Sequence, residues 1–539
     1  MTIQRRDARY VRGSSGECMS KRMRVRAVAV AITATLVAGA AAGCQDGGAD
    51  GADGGPSASS APGRPGSTAG MPGLPAALTG QKPRWEPCEA PEGGEKPGSA
   101  WRCATVKVPL DYRKPDGETL PVALIRKEAR DKKGRIGSLL FNFGGPGASG
   151  VEMLPGFAPD YDGLNTRYDL VGFDPRGVGG SSAVVCRSDE EQANAEARID
   201  LTPDTPAEEA AYLKDGSDFG AGCARRSGGL IAHVTTANTA RDMDVIRHVL
   251  GDAKLNYFGI SYGTQLGAAY AHLFPKHTGR TVLDAVVDPT ADSKGHARHQ
   301  TTGFQRALNN YFASTGEGAE AGTARVTRLL ARLDEQPLGT SGTRKLTEGL
   351  ALTGIVLPLY SESSWPLLTE ALREAEDGRG DALLRLADMY NDRDPSGRYG
   401  TDSHAQRAIS CADTDQRPTA AEAKALLPEF RRISPVFGGF LAWDTAGWCA
   451  NWPVKGESAT QDVSAPGAGP ILVVGTTGDP ATPYEGARRM ADGLGKGVGV
   501  LITNKGEGHG AYGSSQCVTR TVDDYLLRDE VPADGTTCS

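Results

Sequence analysis

Apolar residues along this chain fall into two patterns: short uninterrupted runs, and longer stretches in which they recur every three or four positions. Runs bounded by glycine, proline or aspartate read as strands, because a strand buried on both faces needs continuous apolar character over only a handful of residues. Strands are expected on this basis at 104–112, 120–127, 137–143, 168–174, 255–260, 281–289, 470–475 and 498–503, the first two joined by a turn at Pro115-Asp116-Gly117. Residues 238–250 carry apolar positions at helical spacing, with Thr235, Thr236 and Asn238 available to cap the first turn. Helical periodicity returns at about 484–494. Strand and helix thus alternate up to residue 289 and resume after 463, which predicts a mostly parallel sheet with helices on both faces. Between them, residues 290–462 show helical periodicity at 303–312, 324–333 and 365–375 and few convincing strands. That stretch reads as a helical cap inserted into the sheet domain.

Particular residues at the strand ends turn this pattern toward chemistry. The run 255–260 ends in Gly259-Ile260-Ser261-Tyr262-Gly263, and the small residues Ala268, Ala269 and Ala271 continue as a helix to Phe274-Pro275. A serine at the apex of a strand-to-helix turn is forced into a strained conformation, and residues two positions away avoid clashing only if they lack side chains. In a chain with 71 glycines the spacing also arises by chance, so the strand before it and the helix after it carry the reading. That helix would point its first amides at a developing negative charge.

Acyl transfer by a serine also needs a base, an acid to orient the base, and donors for the oxyanion. Asp479 follows the strand at 470–475, and His509, flanked by glycines, follows the strand at 498–503. Ser261, Asp479 and His509 therefore occur in the order expected of an α/β-hydrolase fold, each in a loop after a strand. His248 and His272 lie within helices instead. The expected roles are nucleophile for Ser261, general base for His509 and orienting acid for Asp479. The oxyanion would be received by the backbone amides of Tyr262 and of Gly145, in the turn Gly144-Gly145-Pro146-Gly147. Asp174 and Arg176 are read as fixing a neighbouring loop, and Trp443, Trp448 and Trp452 as packing around Cys449. This chemistry asks for no metal or organic cofactor, and the chain contains neither C-x-x-C pairs nor H-E-x-x-H.

The amino-terminal part is of another kind. Lys21-Arg22-Met23-Arg24-Val25-Arg26 precedes an uncharged run to Ala41-Ala42-Gly43-Cys44, the order of a bacterial export signal. Residues 1–43 are read as that signal, with translation starting at Met1, Met19 or Met23. Small residues before Cys44 suggest lipidation there and attachment to a membrane surface; ordinary cleavage and full secretion is the alternative. Residues 44–80, almost devoid of large apolar side chains, cannot bury enough surface to fold and read as a tether. The sheet domain is then 81–289 and 463–539, with 290–462 as the cap. A formal charge of −7 with both signs dispersed gives no surface for nucleic acid. Setting aside Cys18 and Cys44, eight cysteines remain, an even number that argues for disulfides in an exported chain. Nearest-neighbour pairing, each closing a modest loop, gives Cys88 with Cys103, Cys186 with Cys223, Cys411 with Cys449, and Cys517 with Cys538.

Phe143-Gly144-Gly145-Pro146-Gly147, Asp174-Pro175-Arg176-Gly177-Val178-Gly179, Gly259-Ile260-Ser261-Tyr262-Gly263 and Gly478-Asp479-Pro480-Ala481-Thr482-Pro483 together resemble the secreted tripeptidyl aminopeptidases of Streptomyces, α/β-hydrolases related to proline iminopeptidases. The resemblance runs from about residue 84 to the end of the chain. It implies release of short peptides, typically tripeptides, from free amino termini; the residues themselves indicate only a serine hydrolase. An exopeptidase must pair the substrate ammonium with a carboxylate, since an unpaired buried charge is costly. Asp413 and Glu362 are the candidates. The alternatives are an esterase or lipase on the same scaffold and a surface binding lipoprotein without turnover. Oligomeric state is open.

Overall fold

The computed structural model describes residues 73–90, 96–457 and 462–539. The segment read as an export signal, 1–43, together with Cys44 and most of the stretch 44–80 read as a tether, lies outside the described residues.

Among the described residues, one ten-stranded sheet runs in the order β1-β2-β3-β5-β4-β6-β7-β8-β9-β10. The strands are β1 (Glu86–Pro87), β2 (Trp101–Pro109), β3 (Thr119–Lys127), β4 (Gly137–Asn142), β5 (Tyr168–Phe173), β6 (Leu255–Ile260), β7 (Thr278–Asp284), β8 (Ile471–Gly478), β9 (Gly499–Glu507) and β10 (Thr536–Cys538). From β5 through β10 all neighbours are parallel, whereas β1, β2 and β3 add antiparallel at one edge. The central strands are buried on both faces. In β4, Leu139 and Phe141 face the helices Gly150–Phe157 and Gln516–Arg528, while Leu140 faces Thr236–Val249 and Tyr262–Leu273. Each fully buried large apolar side chain contributes roughly 1.5–3 kcal/mol, which is why these runs need no polar alternation.

The expected strands are present, with shifted ends. β2 starts at Trp101 because its whole length pairs with β3, Trp101 opposite Lys127. β7 stops at Asp284, short of the expected 289, because Ala285 turns the chain with φ 58°. The run at 498–503 is extended to Glu507 and is not the last strand: β10 pairs with β9 and is tied back by Cys517–Cys538. The other disulfides are Cys88–Cys103, Cys186–Cys223 and Cys411–Cys449, the pairings that spacing suggested.

Between β7 and β8 the described residues form helices, from Ser293–Ser314 to Gly438–Gly447, and two isolated antiparallel bridges, Leu338 with Leu346 and Arg393 with Tyr399, around a separate apolar core. The cap draws on a second segment that the division at 289 assigns to the sheet domain. Helix Pro206–Ser227, between β5 and β6, packs Tyr212 against Ala423, Trp443 and Ala446, and Thr202 Oγ1 donates to Glu348. Amphipathic helices carry no mark of which body they will cover. Trp443 is buried in that cluster, and Trp452 packs against Gly220, consistent with a packing role.

Candidate active site

The loops of interest all leave the carboxyl ends of parallel strands, where ligands of open α/β sheets bind. Ser261 follows β6 and precedes helix Tyr262–Leu273, with φ 57° and ψ −124°. A non-glycine residue in that region costs on the order of 1–3 kcal/mol and persists only where its surroundings hold it. Here the Ser261 amide donates to the Asp284 carbonyl at 3.1 Å, and its own carbonyl accepts from Thr264 N and Oγ1 at 2.8 and 2.6 Å. The flanking glycines are obligatory on steric grounds. A Cβ on Gly259 would lie 2.3 Å from the Gly263 carbonyl oxygen, and one on Gly263 would lie 2.7 Å from the Asn142 carbonyl oxygen.

The turn after β4 lies directly against this serine: a Cβ on Gly144 would approach Ser261 Cβ to 2.8 Å and Tyr262 N to 3.2 Å. Gly144, Gly145 and Gly147 all have positive φ. Among the described residues, the amides of Gly145 and Tyr262 have no hydrogen-bond acceptor, so both remain available to an added oxygen. The turn is supported from the cap, where Gln406 Nε2 donates to the Gly145 carbonyl at 3.3 Å.

Asp479 follows β8 and is fully buried. Its Oδ1 accepts from the amides of Ala481 and Thr482 at 2.9 and 2.8 Å, and its Oδ2 from Thr482 Oγ1 at 3.0 Å. His509, just beyond β9, places Nδ1 3.0 Å from both oxygens. The carboxylate thus holds the imidazole proton on Nδ1 and leaves Nε2 as the basic nitrogen. Burial by itself would lower the proton affinity of His509. The Asp479 carboxylate, with Asp284 behind it, outweighs that, and the net shift is upward.

Asp284, absent from the sequence-based candidates, joins the serine and histidine loops. Its carbonyl takes the Ser261 amide, while its buried carboxylate takes the amides of Ala511 at 3.0 Å and Tyr512 at 2.9 Å. Burial, with only partial relief from these amides, pushes this carboxyl above its ordinary value. The available signal was a lone acid inside the apolar run Thr281-Val282-Leu283-Asp284-Ala285-Val286-Val287.

The remaining candidates lie elsewhere. Asp174 accepts from Ser149 Oγ and the amides of Val151 and Gly180, and Arg176, fully buried, forks onto Asp242 at 2.7 and 2.6 Å. Both are structural. Asp413 caps helix Asp402–Ala412 and gives both oxygens to Thr236, at 2.7 Å to its amide and 2.5 Å to its hydroxyl. That hydroxyl in turn meets Tyr262 Oη at 2.5 Å, so Asp413 braces the residue after Ser261. Glu362 is exposed at the start of a short turn, within electrostatic range of Glu507.

A serine held in this conformation over a parallel sheet, beside free amides and tied through Asp284 to the loop of a carboxylate–imidazole pair, defines a serine hydrolase of the α/β-hydrolase class. Residues 434–538 match the family model described as TAP-like protein. The chain is 39% identical to serine protease Hip1 of Mycobacterium tuberculosis over 485 residues, covering 85% of this chain and 91% of that one. It is 37% identical to carboxylesterase B of the same species over 463 residues, covering 81% and 86%. With tripeptidyl aminopeptidase of Streptomyces lividans it shares 32% identity over 477 residues, covering 84% and 86%. The chain belongs to this family of α/β-hydrolases, as the four motifs suggested.

Proposed function

We propose that the protein is an exported serine exopeptidase that releases short peptides, most simply tripeptides, from free amino termini through an acyl-enzyme on Ser261. The observation that carries the catalytic part is the Asp479–His509 pair, joined through Asp284 to a serine whose backbone is held for attack. His509 Nε2 takes the Ser261 proton as the hydroxyl attacks the carbonyl, then returns it to the leaving amine. Asp479 stabilises the imidazolium, and the amides of Gly145 and Tyr262 receive the oxyanion, each such donor being worth about 2.7–4 kcal/mol of barrier. Water then repeats the sequence on the acyl-enzyme.

The peptide part is supported by the relatives named serine protease and tripeptidyl aminopeptidase. A free amino terminus needs a carboxylate, and with Asp413 engaged by Thr236 the reading moves to Asp402, with Glu152 and Asp392. A Cβ on Gly147, in the oxyanion turn, would lie 2.5 Å from the Asp402 main-chain carbonyl oxygen, so the Asp402 backbone borders that turn. Burial, and then the charges of Asp392, Glu152 and Asp174, push Asp402 up to about 7. A bound ammonium would relieve that cost. Export is supported by the disulfides, which persist in oxidising compartments. Among the described residues no helix is long and apolar enough to cross a membrane. Attachment to a membrane surface is proposed through a lipid at Cys44, on the small residues that precede it.

The relative named carboxylesterase B favours a second reading, ester hydrolysis on the same machinery. Mass spectrometry of products from an unblocked peptide ladder and its acetylated copy separates the two. Tripeptides from the free ladder alone support the exopeptidase; indifference to acetylation, or turnover of esters only, refutes it.

A further inference from the structure

The cap does more than cover the sheet. One face of its first helix, Ser293–Ser314, meets both loops of the acid–base pair. Gly303, Arg306 and Asn310, spaced by three and four residues, lie on the same side of that helix. Gly303 abuts the residue after Asp479, since a Cβ there would lie 2.2 Å from the Pro480 carbonyl oxygen. Arg306 donates from Nη2 to the main-chain carbonyl of Asp479 at 3.0 Å. Asn310 Nδ2 donates to Glu507 Oε1 at 2.9 Å, two residues before His509. The end of cap helix Glu348–Leu359 completes the grip: the Tyr360 carbonyl accepts the His509 amide at 2.9 Å, and the Tyr360 ring meets the imidazole edge-on at 5.3 Å.

We propose that Arg306 is a positioning residue for the Asp479–His509 pair, so that the cap helix sets the base as well as roofing the substrate. The inference rests on the catalytic reading given above. Gly478 and Pro480 flank Asp479 closely, and Arg306 is the side chain that anchors the peptide unit between them from the cap side. A guanidinium donor on a partly desolvated carbonyl makes a strong, directional bond. Without it the loop relaxes, the carboxylate–imidazole contact loosens, and the imidazolium loses part of what raises its proton affinity.

Electrostatics alone predict the opposite sign, which makes the two effects separable. The groups facing His509 are Asp479 on the β8 loop, Asp284 at the end of β7 and Tyr360 in the cap, with Glu507 two residues earlier at the end of β9 and Arg306 and Glu362 around it. Removing the positive charge of Arg306 without moving anything would make protonation of His509 easier and shift its pKa up. Loss of positioning shifts it down.

The test uses the full chain with a small uncharged ester, which offers Arg306 no charge to pair with. In Arg306→Met, kcat is expected to fall about 10- to 100-fold, the range that an ångström-scale misplacement produces. KM should stay unchanged, and the acidic limb of the kcat/KM profile should move to lower pH. Arg306→Lys, which keeps a charged donor, should recover part of kcat and of the limb position. An unchanged kcat, an upward shift of the limb, or a lower Tm with no change in the limb would each overturn the proposal. Should Arg306→Met not fold, Arg306→Lys alone decides, since kcat and limb position equal to wild type refute it. Ser261→Ala and His509→Ala run alongside: turnover surviving in either removes the catalytic reading itself, whatever Arg306 does.

Discussion

Replacing Asp479 by asparagine tests the site most sharply, because the structure predicts that shape survives and function does not. Oδ1 of Asp479 accepts from the Ala481 and Thr482 amides, and an asparagine carbonyl keeps both bonds. The new amide nitrogen takes the place of Oδ2, where it can donate to Thr482 Oγ1. The same nitrogen stands 3.0 Å from His509 Nδ1, where the carboxylate oxygen accepted a proton. An amide there donates, and the carbonyl oxygen, also 3.0 Å from Nδ1, is already taken by the Ala481 and Thr482 amides, so Nδ1 is driven to accept and the imidazole proton to Nε2. That tautomer cannot take the proton of Ser261. The expected loss in kcat is about 10⁴-fold, the size seen when a triad carboxylate elsewhere is amidated, or roughly 5.4 kcal/mol at 1.36 kcal/mol per decade. Tm should change little, since the bonds to Ala481 and Thr482 remain. The assay is steady-state hydrolysis of a p-nitrophenyl ester from pH 6 to 10, with unfolding followed by circular dichroism. A folded Asp479→Asn variant with kcat within ten-fold of wild type would refute the assigned roles.

Because Asp479 and Asp284 together raise the proton affinity of His509, the acidic limb of kcat/KM should have its midpoint above the ordinary imidazole value of about 6.5. Asp284→Asn should move it down; a wild-type midpoint at or below 6.5 contradicts this. Ser261→Gly should be inactive yet more resistant to urea than Ser261→Ala by about 1 kcal/mol, because glycine accepts the φ of 57° without strain. Equal midpoints would show that the turn stores none. Burial holds Asp413 at about 7, above the 3.8 of a free aspartate. The folded protein then binds that proton more tightly than the unfolded chain, so this residue makes stability fall as pH rises from about 4 to 7. Asp413→Asn should flatten that slope in denaturant titrations, and an unaltered slope would argue against the raised proton affinity of the buried carboxyl.

Local sequence was enough to place Ser261 at a sharp turn from strand to helix. A serine at a strand-to-helix turn excludes side chains two residues away, so Gly259 and Gly263 are visible in one dimension, and continuous apolar runs reveal doubly buried strands for the same short-range reason. The order of Ser261, Asp479 and His509 along the chain and the pairing of neighbouring cysteines were legible too, because each depends on spacing. What spacing does not carry is contact between distant segments. That Asp284 serves Ser261 with its carbonyl and the His509 loop with its carboxylate depends on β7 lying beside β6, a long-range pairing with no local mark. Asp413 shows the same limit: its sequence setting suggests a surface acid free for substrate, whereas folding brings Thr236 to both of its oxygens. Helix 206–227 joins the cap, and the face of Gly303, Arg306 and Asn310 meets the catalytic loops, for one reason. An amphipathic helix encodes that it must cover something apolar, and only the closed tertiary structure decides what.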